Sequence, residues 1–323
     1  MKYLLGVHAG RKECIAVLTD LHGEVKGTGF GKSGDHLSDK YAIVHVAQAV
    51  NQALSSKRHD FELVYGVFNM VNAEYPEDFA MLQKELNIAF SELHGRFTVI
   101  NDSFGALFAG SLTGFGVCIT AGRFANVAAR HDVRGAIREW SGCSSVRSVG
   151  ANNLGKRAQE EMVAASLGMA PATTLTRAIL DANYMNSVEE WLFNWERNGK
   201  CKPPQDIAPV VLAQAAAGDA VATALVESEA ERLANYAKAA ADKVGLVRHV
   251  PVVLAGSLFR HESKLLSTLV AQKLAEKLPS CRVEISTIHP VGGAILRAFE
   301  LNGGGSSVFI RQRLLETLKN QKL

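Results

Sequence analysis

No apolar stretch in this 323-residue sequence approaches the roughly 18 uncharged residues that a membrane-spanning helix needs, so no transmembrane segment is expected. The first ten residues, MKYLLGVHAG, hold one lysine and only a short apolar run before His8, too little for a secretory signal. Cysteine is scarce and unpaired in pattern. Cys14, Cys118, Cys143, Cys201 and Cys281 are odd in number and scattered, and neither a CxxC nor an HExxH occurs. That excludes a disulfide framework and a zinc motif, and a reducing cytoplasm is the expected compartment. An excess of one charge is also missing. There are 35 basic and 32 acidic residues, a net charge of +3, which argues against a dedicated nucleic-acid binder. What is present is ordinary for a globular chain: 47 % hydrophobic and 21 % charged residues, with a mean hydropathy of +0.05, which excludes disordered and fibrous classes. At about 150 residues per domain the length predicts two domains.

The N-terminal stretch predicts three strands, at residues 3–7, 14–19 and 24–30, as short apolar runs bounded by Gly and Asp. A helix is expected over 37–54, where Ile43, Val46, Ala47, Val50 and Leu54 recur at helical spacing. Strand 63–68, helix 77–90, strand 97–100 and helix 103–111 follow. The second stretch repeats the pattern, with strands at 115–120, 124–129 and 133–140. Helices at 154–167, 175–183, 188–196, 207–217 and 220–244 are inserted after the third strand. Strand 250–255, helix 262–278, strand 282–288 and helix 291–301 complete it. A period of about 110 residues before the insertion marks a duplicated domain, not a short-period solenoid. Strands alternating with helices imply parallel pairing in a layered α/β architecture. The expected lobes are 1–111 and 112–307, the second with a helical insertion at about 151–245. LNGGGSS (301–307) reads as a flexible link, after which a terminal helix over 308–323 docks back onto one lobe.

Two copies of βββαβαβα facing each other across a cleft resemble the ribonuclease H-like lobes of the actin/hexokinase/heat-shock chaperone superfamily. The sequence is similar to the branch that holds N-acetylglucosamine kinases and BadF/BcrA-type ATPases. Four segments carry the likeness: residues 6–23 (GVHAGRKECIAVLTDLHG), Asn101-Asp102-Ser103 with the following FGALFAG, 253–259 (VLAGSLF) and 290–298 (PVGGAILRA). The resemblance implies an ATP-dependent sugar kinase of the N-acetylglucosamine or glucosamine type, with ATP and Mg²⁺, cytoplasmic and often dimeric. Its partners would be a sugar and a nucleotide, with no nucleic acid and no membrane.

The resemblance also implies site residues. Asp102 takes the place of the general base that accepts the sugar hydroxyl proton, and Asp35 and Asn101 join it on the substrate side. Gly10, Lys12, Gly122, Arg123, Gly256, Ser257 and Gly293 fall on the nucleotide side. Read from the residues alone, Asn-Asp-Ser before a helix is an N-cap signal. In that reading Gly256 forms a strand-to-helix turn and Gly293 serves close helix packing. The family's phosphate hairpin needs a glycine run and an aspartate to anchor hydrated Mg²⁺. Here His8 stands at the aspartate position, only Gly10 remains of the glycines, and imidazole is a poor Mg²⁺ ligand. In the second hairpin Gly122-Arg123-Phe124-Ala125 keeps one glycine and no hydroxyl, and Arg147-Ser148-Val149-Gly150 stands where the family has carboxylates. Arg11, Lys12, Arg123 and Arg147 could hold an anion without metal, or form a solvated charged rim. Hence a second reading: a degraded kinase that binds a sugar, nucleotide or anion without phosphoryl transfer. No metal ligand set is read, and the cysteines suit no shared iron–sulfur cluster. Trp191 and Trp195, at i,i+4 spacing, are expected to pack the insertion helices or a dimer face.

Overall fold

Two five-stranded sheets share one strand order, each built from its own half of the chain. The computed structural model describes residues 1–55, 61–143, 149–304 and 307–321. The first sheet comprises β1 (Lys2–Ala9), β2 (Cys14–Asp20), β3 (Val25–Gly31), β4 (Glu62–Met70) and β5 (Phe97–Asn101), ordered β3-β2-β1-β4-β5. The second comprises β6 (Gly116–Ala121), β7 (Ala125–Val133), β8 (Ala136–Cys143), β9 (Pro251–Ala255) and β10 (Arg282–Ile285), ordered β10-β9-β6-β7-β8. Read from its other edge, the second order is the first repeated. Tight turns make β1–β2 and β2–β3 antiparallel, whereas helical crossovers make β1–β4, β4–β5 and β9–β10 parallel. The helices are α1 (Ala42–Leu54), α2 (Pro76–Ala89), α3 (Asp102–Gly110), α4 (Ala151–Ser166), α5 (Thr174–Ala182), α6 (Val188–Phe193), α7 (Pro204–Ala216), α8 (Ala220–Val244), α9 (Leu265–Lys277), α10 (Pro290–Leu301) and α11 (Val308–Asn320). The repeated strand–helix grammar expected from the sequence is the one the chain adopts.

Contacts divide the chain into two units: Met1–Cys118, Ala128–Ser141 and Ser286–Leu323 form the first, and Ile119–Val127 with Gly142–Ile285 the second. In the first, β1 is buried along nearly its whole length, which is why it reads as a continuous apolar run and not an alternating one. Leu5, Val7, Leu18, Val46, Val50, Phe68, Leu82, Leu86 and Phe90 belong to one core cluster. The terminal helix α11 closes this unit. Leu314 and Leu318 are buried, and the buried Arg311 donates to the carbonyls of Phe108 and Ala109 at the C-terminal end of α3. In the second unit, α8 packs on α7 and α9, and α4 packs on α7.

Two helices begin later than their apolar periodicity predicts. The helix expected from 37 begins at Ala42, because Asp35 and Asp39 hold the preceding residues in turns. The Asp35 carboxylate accepts the Leu37 N–H and the Asp39 carboxylate accepts the Tyr41 N–H. The helix expected from 262 begins at Leu265, after Lys264 in the left-handed conformation (φ 51°). Among the described residues no single helix is long and apolar enough to cross a membrane.

Candidate functional site

Parallel pairing of β1, β4 and β5 sets their carboxyl ends side by side in the first unit. His8 is in register with Asn69, Ala9 with Met70, and Met70 with Asn101. The carboxyl edge of parallel strands is where α/β sheets hold ligands, and three polar segments converge there. Arg11, in the β1–β2 turn, donates to Asp35 Oδ2 (2.8 Å) and to Asn72 Oδ1 (2.7 Å). Asn72 donates in turn to Asp35 Oδ1 (2.6 Å). Asn101 donates to the Ala73 carbonyl and accepts the Ser103 N–H, so its side chain ties the loop after β4 to the head of α3. Asp102 is the first residue of α3 and is half-buried. Burial pushes its carboxyl up to about 6; the Arg11 charge opposes the rise and Glu74 adds to it.

The predicted substrate residues therefore meet, but with different roles. Asp35 is buried and its carboxylate is engaged by Arg11, Asn72 and the Leu37 N–H, so it orients the guanidinium. Asn101 is engaged as a cap. Asp102 is the carboxylate at this edge whose protonation lies near the working range. Asn72 and Glu74 were not read from the sequence. Asn72 has a positive φ of 62°, enriched in Asn, but nothing in one sequence points that conformation at Arg11.

The position of the expected Mg²⁺ anchor has a different chemistry. His8 is half-buried, and its ring lies edge-on to His289, centroids 5.1 Å apart. Burial, and secondarily the His289 charge, hold its pKa down at about 3, so the imidazole is neutral at physiological pH. Its Nδ1 has no partner among the described residues. The Gly10 N–H donates to the Glu13 carbonyl (2.9 Å), and Lys12 is exposed. A neutral nitrogen donor beside a second imidazole does not fit a hard, oxygen-seeking cation.

In the second unit the β6–β7 turn is closed on itself and on α4. The Gly122 N–H donates to the Phe124 carbonyl (3.1 Å), and the carbonyls of Gly122 and Arg123 accept the N–H groups of Ala151 and Asn152, each at 2.9 Å. The Gly150 N–H donates to Glu229 Oε1 at 2.5 Å. The first amides of α4, ready-made anion donors in an open helix, are thus satisfied internally. Glu229 was not read from the sequence, because it sits mid-helix in a polar run. It is fully buried on α8, and burial raises its pKa to about 7. Arg123 is exposed over the Phe124 ring (5.5 Å). Arg147 and Ser148 lie outside the described residues. Ser257 is exposed. At Gly256 (φ +106°) an added Cβ would lie 2.3 Å from the Ala121 carbonyl oxygen, so this glycine allows two backbones to approach.

Gly293 belongs to the first unit, where a Cβ would fall 1.8 Å from the Gly105 carbonyl oxygen between α10 and α3. Its packing role is therefore direct, and Gly293→Val should destabilise the protein by about 1–3 kcal/mol through overpacking, read from a urea melt. Glu229 supplies a pH test. A carboxyl whose folded pKa exceeds its unfolded value of about 4.5 contributes most stability below that value and loses it as pH rises through about 7. Glu229→Gln keeps an acceptor for Gly150, so its stability profile should be flatter across that window, as measured by thermal melts from pH 5 to 8.

No protein-family model matches the chain, and no curated protein sequence does. Solved structures do. A candidate N-acetylglucosamine kinase from Chromobacterium violaceum is 20 % identical, with a TM-score of 0.66 over 92 % of this chain and 98 % of that one. A second candidate N-acetylglucosamine kinase, from Porphyromonas gingivalis, is 16 % identical with a TM-score of 0.63 over 94 % and 100 %. A ROK family glucokinase from Streptomyces griseus, solved with glucose and AMPPNP, is 14 % identical with a TM-score of 0.55 over 92 % and 98 %. These likenesses establish the fold as the duplicated actin-like ATPase fold found in sugar kinases.

Proposed function

We propose that the chain is a sugar-binding protein on a sugar-kinase fold, without the machinery for efficient phosphoryl transfer. The observation that carries this reading is the internal commitment of backbone donors in the two hairpins, at Gly10 and Gly122, and at the head of α4, at Gly150, Ala151 and Asn152. Phosphoryl transfer relies almost wholly on such donors and on Mg²⁺. The neutral His8 supports the same conclusion. The substrate side is better supplied. Asp102 accepts a hydroxyl hydrogen from a hexose or amino sugar, and the Arg11–Asp35–Asn72 network holds the flanking loops.

The place of Asp102, directly after β5 at the head of α3, favours the alternative, an ATP-dependent kinase of the N-acetylglucosamine type. A carboxyl with a pKa of about 6 suits a general base for a sugar hydroxyl. An ADP-release assay separates the two. With ATP, Mg²⁺ and a panel of N-acetylglucosamine, glucosamine and glucose, the proposal expects no sugar-dependent ADP above background. Turnover at ordinary kinase rates, about 1–100 per second, would replace it with the kinase reading. The same Asp102 fixes a pH dependence for binding. Its ionised form is the acceptor, so sugar affinity should be full above pH 7 and fall as pH drops through about 6, by calorimetry.

A further inference from the structure

One loop residue after β4 is bonded to both sides of the polar edge of the first unit. Asn72 is buried and holds a left-handed backbone (φ 62°), a conformation that asparagine adopts more readily than most side chains. Its side chain accepts from Arg11 Nη2 (2.7 Å) and donates to Asp35 Oδ1 (2.6 Å), while Asp35 Oδ2 takes Arg11 Nη1 (2.8 Å). The three side chains close a triangle, and the two arms of the guanidinium are gripped by different residues. The same loop reaches Asp102 from the other direction. The carbonyl of Ala73, the next residue, accepts the Asn101 side-chain N–H (2.9 Å), and Asn101 directly precedes Asp102. A contiguous path therefore runs from Arg11 through Asn72 to the head of α3.

We propose that Asn72 is a positioning residue for the sugar-binding carboxylate: it fixes the Arg11 guanidinium within electrostatic reach of Asp102 and so keeps that carboxylate ionised at neutral pH. The role in binding rests on the reading of Asp102 as the sugar acceptor; the coupling between the three residues does not. The ionisable groups that act on Asp102 come from three elements. Arg11 stands on the β1–β2 turn, Glu74 on the loop after β4 and Cys118 on β6. Burial keeps the Cys118 thiol protonated. Glu74 disfavours a second negative charge beside it, and Arg11 is the cation of the three. Its effect depends on where the guanidinium is held, because a side chain only 29 % exposed and gripped on two arms is screened less than one that swings into water. Without the Asn72 side chain one arm of that grip is lost.

The test follows the Asp102 carboxyl by carbon NMR of the full chain across a pH titration, its resonance assigned with Asp102→Asn. Arg11→Met should raise the Asp102 midpoint by about 1 pH unit, the lower end of the effect of an adjacent guanidinium. Asn72→Gly, which keeps the left-handed backbone at no steric cost, should raise it in the same direction by less. The double variant should titrate where Arg11→Met does, because Asn72 acts through Arg11. The calorimetric pH profile of N-acetylglucosamine binding should move with the NMR midpoint, a displacement that a merely loosened loop does not produce. The proposal is overturned if Asn72→Gly leaves the midpoint unmoved, if its effect adds in full to that of Arg11→Met, or if Arg11→Met itself has no effect. Midpoints that move as expected in a protein that binds no sugar would uphold the coupling of Asn72, Arg11 and Asp102 and overturn the sugar reading instead.

Discussion

Exchanging Glu139 and Glu300 together for glutamine should cost about 3–5 kcal/mol of stability, more than replacing Arg130 by methionine. Arg130, on β7, is 1 % exposed. Its Nε donates to Glu139 Oε1 (2.8 Å) and its Nη2 to Glu300 Oε1 (2.5 Å). The guanidinium lies 4.4 Å from the Phe115 ring centroid and 5.0 Å from that of Phe108. Arg297 binds the same two carboxylates, at 2.9 and 2.8 Å. The four charges balance, but they are not equivalent. Without the carboxylates, a cation that water cannot reach is left beside a second cation. Without Arg130, both carboxylates keep Arg297 and are still one-third exposed, so solvent screens them. Urea denaturation of the two variants measures the order. A larger loss for Arg130→Met would show that guanidinium packing on the two phenylalanines, and not charge pairing, dominates there.

Asp102→Asn should lower sugar affinity about 10- to 100-fold, since hydrogen bonds to charged groups contribute about 1.5–3 kcal/mol. It should do so without loss of stability at pH 8. The folded pKa of about 6 lies above the ordinary aspartate value. The stability contribution of this group is therefore greatest below about 4 and lost as pH rises through 6, so an ionised Asp102 opposes folding at pH 8. Asparagine removes that penalty while retaining the oxygen that meets the first N–H groups of α3. Binding by calorimetry and stability by urea melt should move in opposite directions. If both fall together, Asp102 is a structural cap and not a ligand-binding group.

Most of the fold was legible because its signals are local. The apolar run of β1, the helical spacing in α1 and α8, and the recurrence of three strands before a helix all lie within short windows. The late starts of α1 and α9 were not legible, since Asp35, Asp39 and Lys264 act through turns that apolar periodicity does not register. At the site, Asn101-Asp102-Ser103 announced both a cap and a carboxylate at a strand end. The Arg11–Asp35–Asn72 network was hidden because its members are separated by 24 and 61 residues from Arg11, and only strand pairing unites them. By sequence Gly256 allowed a ligand role or a strand-to-helix turn, and Gly293 a ligand role or close helix packing. The distance from an added Cβ to the Ala121 or Gly105 carbonyl supplies the packing role directly. Glu229 had no sequence signal, because a glutamate in a polar helix looks solvated until its neighbours are known.

Calorimetric titration of N-acetylglucosamine into the full chain at pH 7.5, repeated with ATP and either Mg²⁺ or a chelator, tests the central proposal most directly. The account predicts saturable sugar binding with the same affinity in all conditions and no reaction heat. Sugar binding that requires Mg²⁺-ATP, or a continuing heat of turnover once the three are combined, would contradict it.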